Sequence, residues 1–167
     1  FATAGLDTVC LMVLRSSRQV IIPLWGEQIG LGATAVGGVF SASNSIDMLL
    51  FYPTGSIMDR WGRKWVGIPC LVILGLGLLL IPLATTLQLF IAVAMLTGFG
   101  NGMGSGIIMT LGADFSPAQN RAEFLGVWRL ISDAGQLAGP LLLSAVTGFA
   151  TLGIASMATG GVGLLGA

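Results

Sequence analysis

Long apolar stretches, separated by very short polar connections, occupy almost the whole chain. A helix needs about 20 mostly apolar residues to cross the hydrocarbon core of a bilayer. Six stretches approach that length, and they cover approximately residues 5–26, 34–57, 65–84, 88–111, 122–148 and 152–167. The pattern predicts an all-α, polytopic membrane protein in which residues 1–167 form one bundle of six transmembrane helices.

The scarcity of charge supports a membrane protein. Only 8% of the 167 residues are charged, whereas soluble domains carry roughly 25%. The net charge of zero argues against a nucleic-acid partner. The chain has no histidine, and Cys10 and Cys70 each lie inside an apolar stretch, where a cysteine is usually a small buried hydrophobic residue. We therefore expect no metal, no cofactor and no enzymatic activity.

The basic residues outside the apolar stretches all lie in connections on one side of the predicted bundle. They are Arg60, Arg63, Lys64 and Arg121, whereas the opposite connections, near 26–32, 85–86 and 149–151, contain no Lys or Arg. Positively charged loops remain in the cytoplasm. We therefore expect the 58–64 loop and both ends of this segment to be cytoplasmic, in a plasma (inner) membrane.

Small residues recur at helical spacing in two of the stretches. Gly98, Gly102 and Gly106 form a small-x-x-x-small ridge in the fourth stretch, and Gly135, Gly139 and Pro140 read G-x-x-x-G-P in the fifth. Such ridges let helix backbones approach closely in a membrane, and a proline inside a helix bends it. We predict tight helix packing at both, and a bend that a transport cycle would use is the sharper alternative.

Several polar side chains lie deep within the apolar stretches, where a charge costs at least roughly 2.5–3.5 kcal/mol unless it is paired or hydrated. These residues are Arg15 and Arg18 in the first stretch, Asn44 and Asp47 in the second, and Arg129 and Asp133 in the fifth. Each should face a partner or a water-filled cavity. They are the candidates for a substrate or proton cavity.

Two interpretations of these deep charges stay open. Arg15 and Asp47 fall at similar depths in neighbouring antiparallel helices, and Arg129 and Asp133 are four residues apart on one helix face, so each pair is a candidate structural ion pair. Alternatively they form a functional site, in which Asp47 or Asp133 would carry the proton because there is no histidine. The two arginines of the first stretch fit an anionic ligand as well as an internal ion pair.

The connection between the second and third stretches reads G-x-x-x-D-R-x-G-R-K from Gly55 to Lys64. It resembles the signature loop of the major facilitator superfamily, which joins the second and third helices of a six-helix half. The matching residues are Gly55, Asp59, Arg60, Gly62, Arg63 and Lys64. Asp114 to Pro117 with Arg121 similarly resembles the family's loop between the fourth and fifth helices.

The resemblance implies a twelve-helix secondary active transporter that moves a small organic solute through a central cavity by alternating access. The other six-helix half, the lipid bilayer, a solute and a proton would be its partners. Residues 135–140 resemble the fifth-helix motif of the family's proton-driven exporters, although residues 141–144 replace the usual glycines. We expect proton-coupled efflux, with solute uptake or a non-transporting membrane scaffold or receptor as alternatives.

The resemblance also implies a role for the signature loop. Asp59 would lie near the cytoplasmic start of the fifth helix, where a helix N-terminus favours negative charge, or would pair with Arg121 or another loop arginine. Such a latch would hold the cytoplasmic side closed. The loop is usually best preserved in the first half of such transporters, but the absent start and Asp133 before the G-x-x-x-G-P motif favour the second. We expect a fragment containing helices seven to twelve.

Overall fold

The computed structural model describes residues 2–117 and 119–166, and within them every regular element is a helix. The all-α prediction is therefore confirmed for the described residues. The helices are α1 (Ala2–Gln28), α2 (Ala33–Trp61), α3 (Lys64–Leu80), α4 (Leu87–Gly104), α5 (Ile107–Phe115), α6 (Arg121–Phe149) and α7 (Leu152–Leu165). One 3-10 turn, Ile81–Leu83, continues α3.

Each predicted apolar stretch coincides with helix, but the fourth is interrupted. Helix α4 ends at Gly104 and α5 begins at Ile107, where the backbone N–H of Ser105 donates to the carbonyl of Gly102 at 3.3 Å. Glycine is a poor helix former, and it occupies every second position from 98 to 106, so that Gly104 and Gly106 flank Ser105 directly. The interruption therefore falls where the helix is intrinsically weakest.

Two helical stretches are long and apolar enough to cross a membrane by length and composition, namely Lys64–Leu83 and Leu87–Phe115. A shorter apolar helix covers Leu152–Leu164. Helices α1, α2 and α6 have 27, 29 and 29 residues, lengths that suffice for a crossing, but they contain more charge. Six crossings thus remain a prediction.

The helices associate mainly in four pairs. Helix α1 packs against α6, α2 packs against α4, and α3 lies against both α4 and α7. Fully buried apolar side chains such as Leu14, Ile21, Leu74, Leu78 and Phe90 fill the core between these helices. Since α4 contacts both α2 and α3, its faces hold the centre of the bundle together.

Glycines bring the backbones of α2 and α4 into direct contact. A Cβ atom added to Gly98 would lie 2.5 Å from the carbonyl oxygen of Ser43, and one added to Gly102 would lie 2.9 Å from the carbonyl oxygen of Asp47. Both distances are too short for a real side chain. These two positions therefore allow α4 to approach α2 more closely than any larger residue would.

The α1–α6 pair has the same kind of contact. A Cβ atom on Gly135 would lie 2.9 Å from the Cβ atom of Met12, and one on Gly139 would lie 2.8 Å from the carbonyl oxygen of Val13. Pro140, directly after this contact, lies inside α6, where it cannot donate a backbone hydrogen bond. The G-x-x-x-G-P motif thus places a close helix contact beside a weakened turn of α6.

The hairpin between α2 and α3 turns at Gly62. Its φ of 94° lies in the left-handed region that favours glycine, and its backbone N–H donates to the carbonyl of Met58 at 3.1 Å. The buried Met58 side chain reaches the α4–α5 interruption, where its Cε would lie 3.1 Å from a Cβ atom on Gly106. The hairpin is therefore packed against the interruption.

The α2–α4 contact predicts that Gly98→Ala destabilises the protein. The added methyl group would collide with the backbone of Ser43, and overpacking typically costs about 1–3 kcal/mol. The matched control is Gly37→Ala in α2, because a Cβ atom there meets nothing within 4 Å. Thermal unfolding of the detergent-solubilised full-length protein measures both, and equal unfolding temperatures for the two variants would contradict the contact.

Candidate functional site

Helix α1 places Arg18 in the interior of the bundle, facing α2 and α4. The residue is only 1% exposed. Its Nη2 donates to Ser43 Oγ at 2.5 Å and to Asn44 Oδ1 at 3.4 Å, while its Nε donates to Thr97 Oγ1 at 3.3 Å. All three acceptors are neutral, so this buried guanidinium is solvated by hydroxyl and amide groups and not by a carboxylate.

Arg15, one turn earlier on α1, is half-buried and contacts the end of α4. Its Nε donates to Asn101 Oδ1 at 2.7 Å, and its Nη2 donates to Ser105 Oγ at 2.9 Å. The carboxylate of Asp47 on α2 accepts hydrogen bonds from the same two residues, Ser105 Oγ at 2.8 Å and the side-chain amide of Asn101. Asn101 and Ser105 therefore bridge Arg15 and Asp47.

The direct Arg15–Asp47 ion pair expected from helix depth is not formed. Among the described residues, the cation–carboxylate contacts within 4.0 Å are Arg63–Asp114 and Arg129–Asp133. The two side chains lie at similar depth and belong to one hydrogen-bond network, but Asn101 and Ser105 of the fourth apolar stretch lie between them. Depth along two helices could not reveal this, because it contains no information about what α4 places between them.

We call this group of polar residues the central network. It comprises Arg15, Arg18, Ser43, Asn44, Asp47, Thr97, Asn101 and Ser105.

Sequence reasoning missed the part of the central network that α4 contributes. Thr97, Asn101 and Ser105 are spaced four residues apart, which places them on one helix face. That spacing indicates a polar helix face, although the glycines between these residues also indicate close backbone packing.

The structure separates Arg129 and Asp133 from the central network. Their Nε and Oδ1 atoms are 3.3 Å apart, as expected from the four-residue spacing, but the side chains are 73% and 51% exposed. The adjacent face of α6, with Trp128 and Ser132, is buried. This pair therefore lies on an outward-facing surface of the helix bundle.

At the end of the bundle that carries the Gly55–Lys64 hairpin, one ion pair joins two helices. Arg63 Nε lies 2.5 Å from Asp114 Oδ2, linking the start of α3 to the end of α5. The turn at Gly62 delivers Arg63 to this position, directly before the first residue of α3. The hairpin thus binds the piece of helix that follows the α4–α5 interruption.

The other charged residues of the signature loop are exposed at this end. Asp59, Arg60 and Lys64 have no ion-pair or side-chain hydrogen-bond partner in the described part of the chain, and the same holds for Arg121 at the start of α6. The structure therefore does not join Asp59 to Arg121, since both side chains point away from the packed core. Gly55 lies on α2 with open space beside it.

A cavity of about 520 Å³ lies behind the Arg63–Asp114 pair. Its charged lining comes from Asp7, Arg63, Lys64 and Asp114, and its apolar lining includes Leu11 of α1. Leu11 is one helical turn from Arg15. The cavity therefore lies between the hairpin end of the bundle and the central network.

The chain as a whole matches known proteins. Residues 8–167 match the model of the Major Facilitator Superfamily. A staphyloferrin B transporter of Staphylococcus aureus is 29% identical over 119 residues, which are 69% of this chain and 28% of that protein. The MFS-type efflux transporter pyiT of Pyricularia grisea is 27% identical over 88 residues, 53% of this chain and 15% of that protein.

The matched part of the chain therefore covers less than a third of the length of either relative. The family match, in contrast, extends over nearly all of it. The six apolar stretches, the signature loop and the match agree: the chain belongs to the Major Facilitator Superfamily, whose members are integral membrane proteins.

Proposed function

We propose that this chain is one six-helix half of a secondary active transporter that moves a small organic solute by alternating access. The observation that carries the proposal is the central network, which holds two guanidinium groups and a carboxylate inside apolar helices. Charges at that depth are costly, and in membrane proteins they mark substrate and ion pathways. In this proposal all six apolar stretches cross the membrane, and a second half faces the network.

The position of the network also supports transport. Ser105, which contacts both Arg15 and Asp47, lies at the α4–α5 interruption. In transporters, interrupted helices commonly form solute and ion sites near the middle of the bilayer. A solute or proton that altered the Ser105 contacts would act where the fourth stretch is least able to resist bending.

Proton-coupled export is the direction and coupling that we propose. Asp47 is the carboxylate of the central network and hence its proton carrier. Export is supported by the resemblance of residues 135–140 to the motif of proton-driven exporters and by the printed name of the Pyricularia grisea relative. The basic residues of the signature loop support a cytoplasmic location for the 58–64 loop and both ends of the segment.

In this proposal the hairpin acts as a cytoplasmic latch. Arg63–Asp114 forms it within this half, holding α5 against the start of α3. Asp59 is exposed on the last turn of α2, where it is available to the other half of the transporter. Opening the cytoplasmic side would then break or exchange these contacts.

The test of transport uses the full-length protein in proteoliposomes with an imposed pH gradient and a panel of fluorescent organic compounds. We expect the gradient to drive compound flux in the wild type, whereas Asp47→Asn abolishes the gradient dependence because an amide cannot carry a proton. Ser45→Ala is the control, since its exposed hydroxyl bonds only to its own helix.

Gradient-dependent flux in Asp47→Asn would exclude Asp47 as the carrier. Flux only toward the compartment that corresponds to the cytoplasm would favour uptake over export. No flux of any compound in a correctly inserted wild type would favour a non-transporting scaffold.

The latch predicts coupled effects of Arg63→Gln and Asp114→Asn. Both side chains are partly exposed, and exposed ion pairs contribute less than about 1 kcal/mol, so each substitution should change the transport rate by up to about fivefold. The double variant should be no worse than either single one. Ser56→Ala, an exposed α2 residue that bonds its own helix, is the control, and additive effects would argue against the pair.

A separate substitution tests Asp59. If Asp59 contributes to the latch, Asp59→Asn lowers transport while the protein still inserts with the same topology, because it removes the charge and keeps the shape. Transport rates and cysteine-accessibility labelling of the loop measure the two properties. Wild-type transport in this variant would exclude Asp59 from the latch and leave the Arg63–Asp114 pair to be judged by its own variants.

A further inference from the structure

The central network has an unbalanced charge. It contains two guanidinium groups, Arg15 and Arg18, but one carboxylate, Asp47. Arg18 is 1% exposed and donates to neutral oxygen atoms. With every group ionised, the network carries one net positive charge inside the bundle.

No other acidic residue of the chain is placed to balance that charge. Of the seven acidic residues, Asp114 and Asp133 are paired elsewhere, with Arg63 and Arg129. The remaining ones lie near helix ends or loops: Asp7, Glu27, Asp59 and Glu123.

An unbalanced cation inside a membrane-embedded bundle is unfavourable unless water or a counter-ion accompanies it. We propose that the central network binds the carboxylate group of an anionic organic solute, which brings the network to neutrality. This inference rests on the proposed transport function and adds the chemical class of the substrate.

The hydrogen bonds leave donors for such a group. In the described part of the chain, Nη1 of Arg18 makes no hydrogen bond, and Nη1 of Arg15 makes one long contact, 3.4 Å to the carbonyl oxygen of Gly104. A guanidinium donates to a carboxylate through charge-assisted hydrogen bonds that are roughly twice as strong as neutral ones. An anion can therefore accept hydrogen bonds from these Nη1 atoms while the neutral acceptors keep theirs.

The bridging residues accept hydrogen bonds from Nε and Nη2 of Arg15 and leave its Nη1 with the one long contact to Gly104. Asn101 and Ser105 occupy the carboxylate oxygens of Asp47 and separate it from Arg15. A direct Arg15–Asp47 pair would have neutralised Arg15. Phe40, half-buried with its ring centroid 5.8 Å from the Arg18 guanidinium, offers an apolar surface for the organic part of the solute.

The charge imbalance predicts opposite effects for the arginines and the aspartate. Arg15→Gln or Arg18→Gln removes positive charge and should weaken anion binding by about tenfold or more, the loss expected for a hydrogen bond to a charged group. Asp47→Asn removes negative charge while preserving shape, so anion binding should stay equal or become tighter. A purely structural network would instead be damaged by all three substitutions.

The experiment measures equilibrium binding of three isosteric probes to the full-length protein in lipid nanodiscs. Benzoate, benzamide and benzamidinium have similar shapes and charges of −1, 0 and +1. We expect benzoate to bind at least about tenfold more tightly than the other two. Arg15→Lys, which keeps the charge, should retain part of the benzoate preference that Arg15→Gln loses, and Gln19→Ala, an exposed position on α1, serves as control.

Three outcomes would overturn the inference: benzoate binding no tighter than benzamide binding, an equal loss for all three probes in Arg15→Gln, or a loss of benzoate binding in Asp47→Asn. Should the glutamine variants fail to insert, Asp47→Asn and Arg15→Lys still show whether benzoate binding depends on the positive charge of the network. If the wild type transports neutral or cationic dyes but lacks the benzoate preference, the inference fails and the transport function stands. If it transports nothing, the transport function fails.

Discussion

Two guanidinium groups inside an apolar bundle need polar partners, and this need determines how α1, α2 and α4 pack together. Arg15 and Arg18 project from α1 into a region that lipid and aliphatic side chains otherwise fill. Their hydrogen bonds reach α2 through Ser43 and Asn44 and α4 through Thr97, Asn101 and Ser105. These hydrogen bonds hold the three helices in one arrangement, because each buried polar group that loses its partner costs about 1–3 kcal/mol.

The glycine contact between α2 and α4 lies at the same level as a hydrogen bond between these two helices. Ser43, which accepts a hydrogen bond from Arg18, donates its own proton to the carbonyl of Ala94 at 2.6 Å. That bond between α2 and α4 requires their backbones to lie close together, and Gly98 meets the backbone of Ser43 at that level. Because apolar burial alone does not drive helices together in lipid, close packing and the hydrogen bonds it permits stabilise each other.

Features that depend on one helix were predictable from the sequence, and features that depend on several were less so. Apolar length located the helices, and the spacing of Arg129 and Asp133 indicated their contact. The Asn101 and Ser105 bridge and the Arg63–Asp114 pair depend on which helices become neighbours, so no local pattern specified the partners of these residues. The assignment to the second half of a transporter stays a prediction.

The α4–α5 interruption connects the central network to the hairpin end of the bundle. Ser105 at the interruption contacts Arg15 and Asp47, while α5 continues for nine residues and carries Asp114 to Arg63. The Ser105 contacts therefore lie where α5 begins, and the Arg63–Asp114 pair lies where α5 ends. In the proposed mechanism, protonation of Asp47 or an anion bound at Arg15 would therefore act on the signature loop through one short helix.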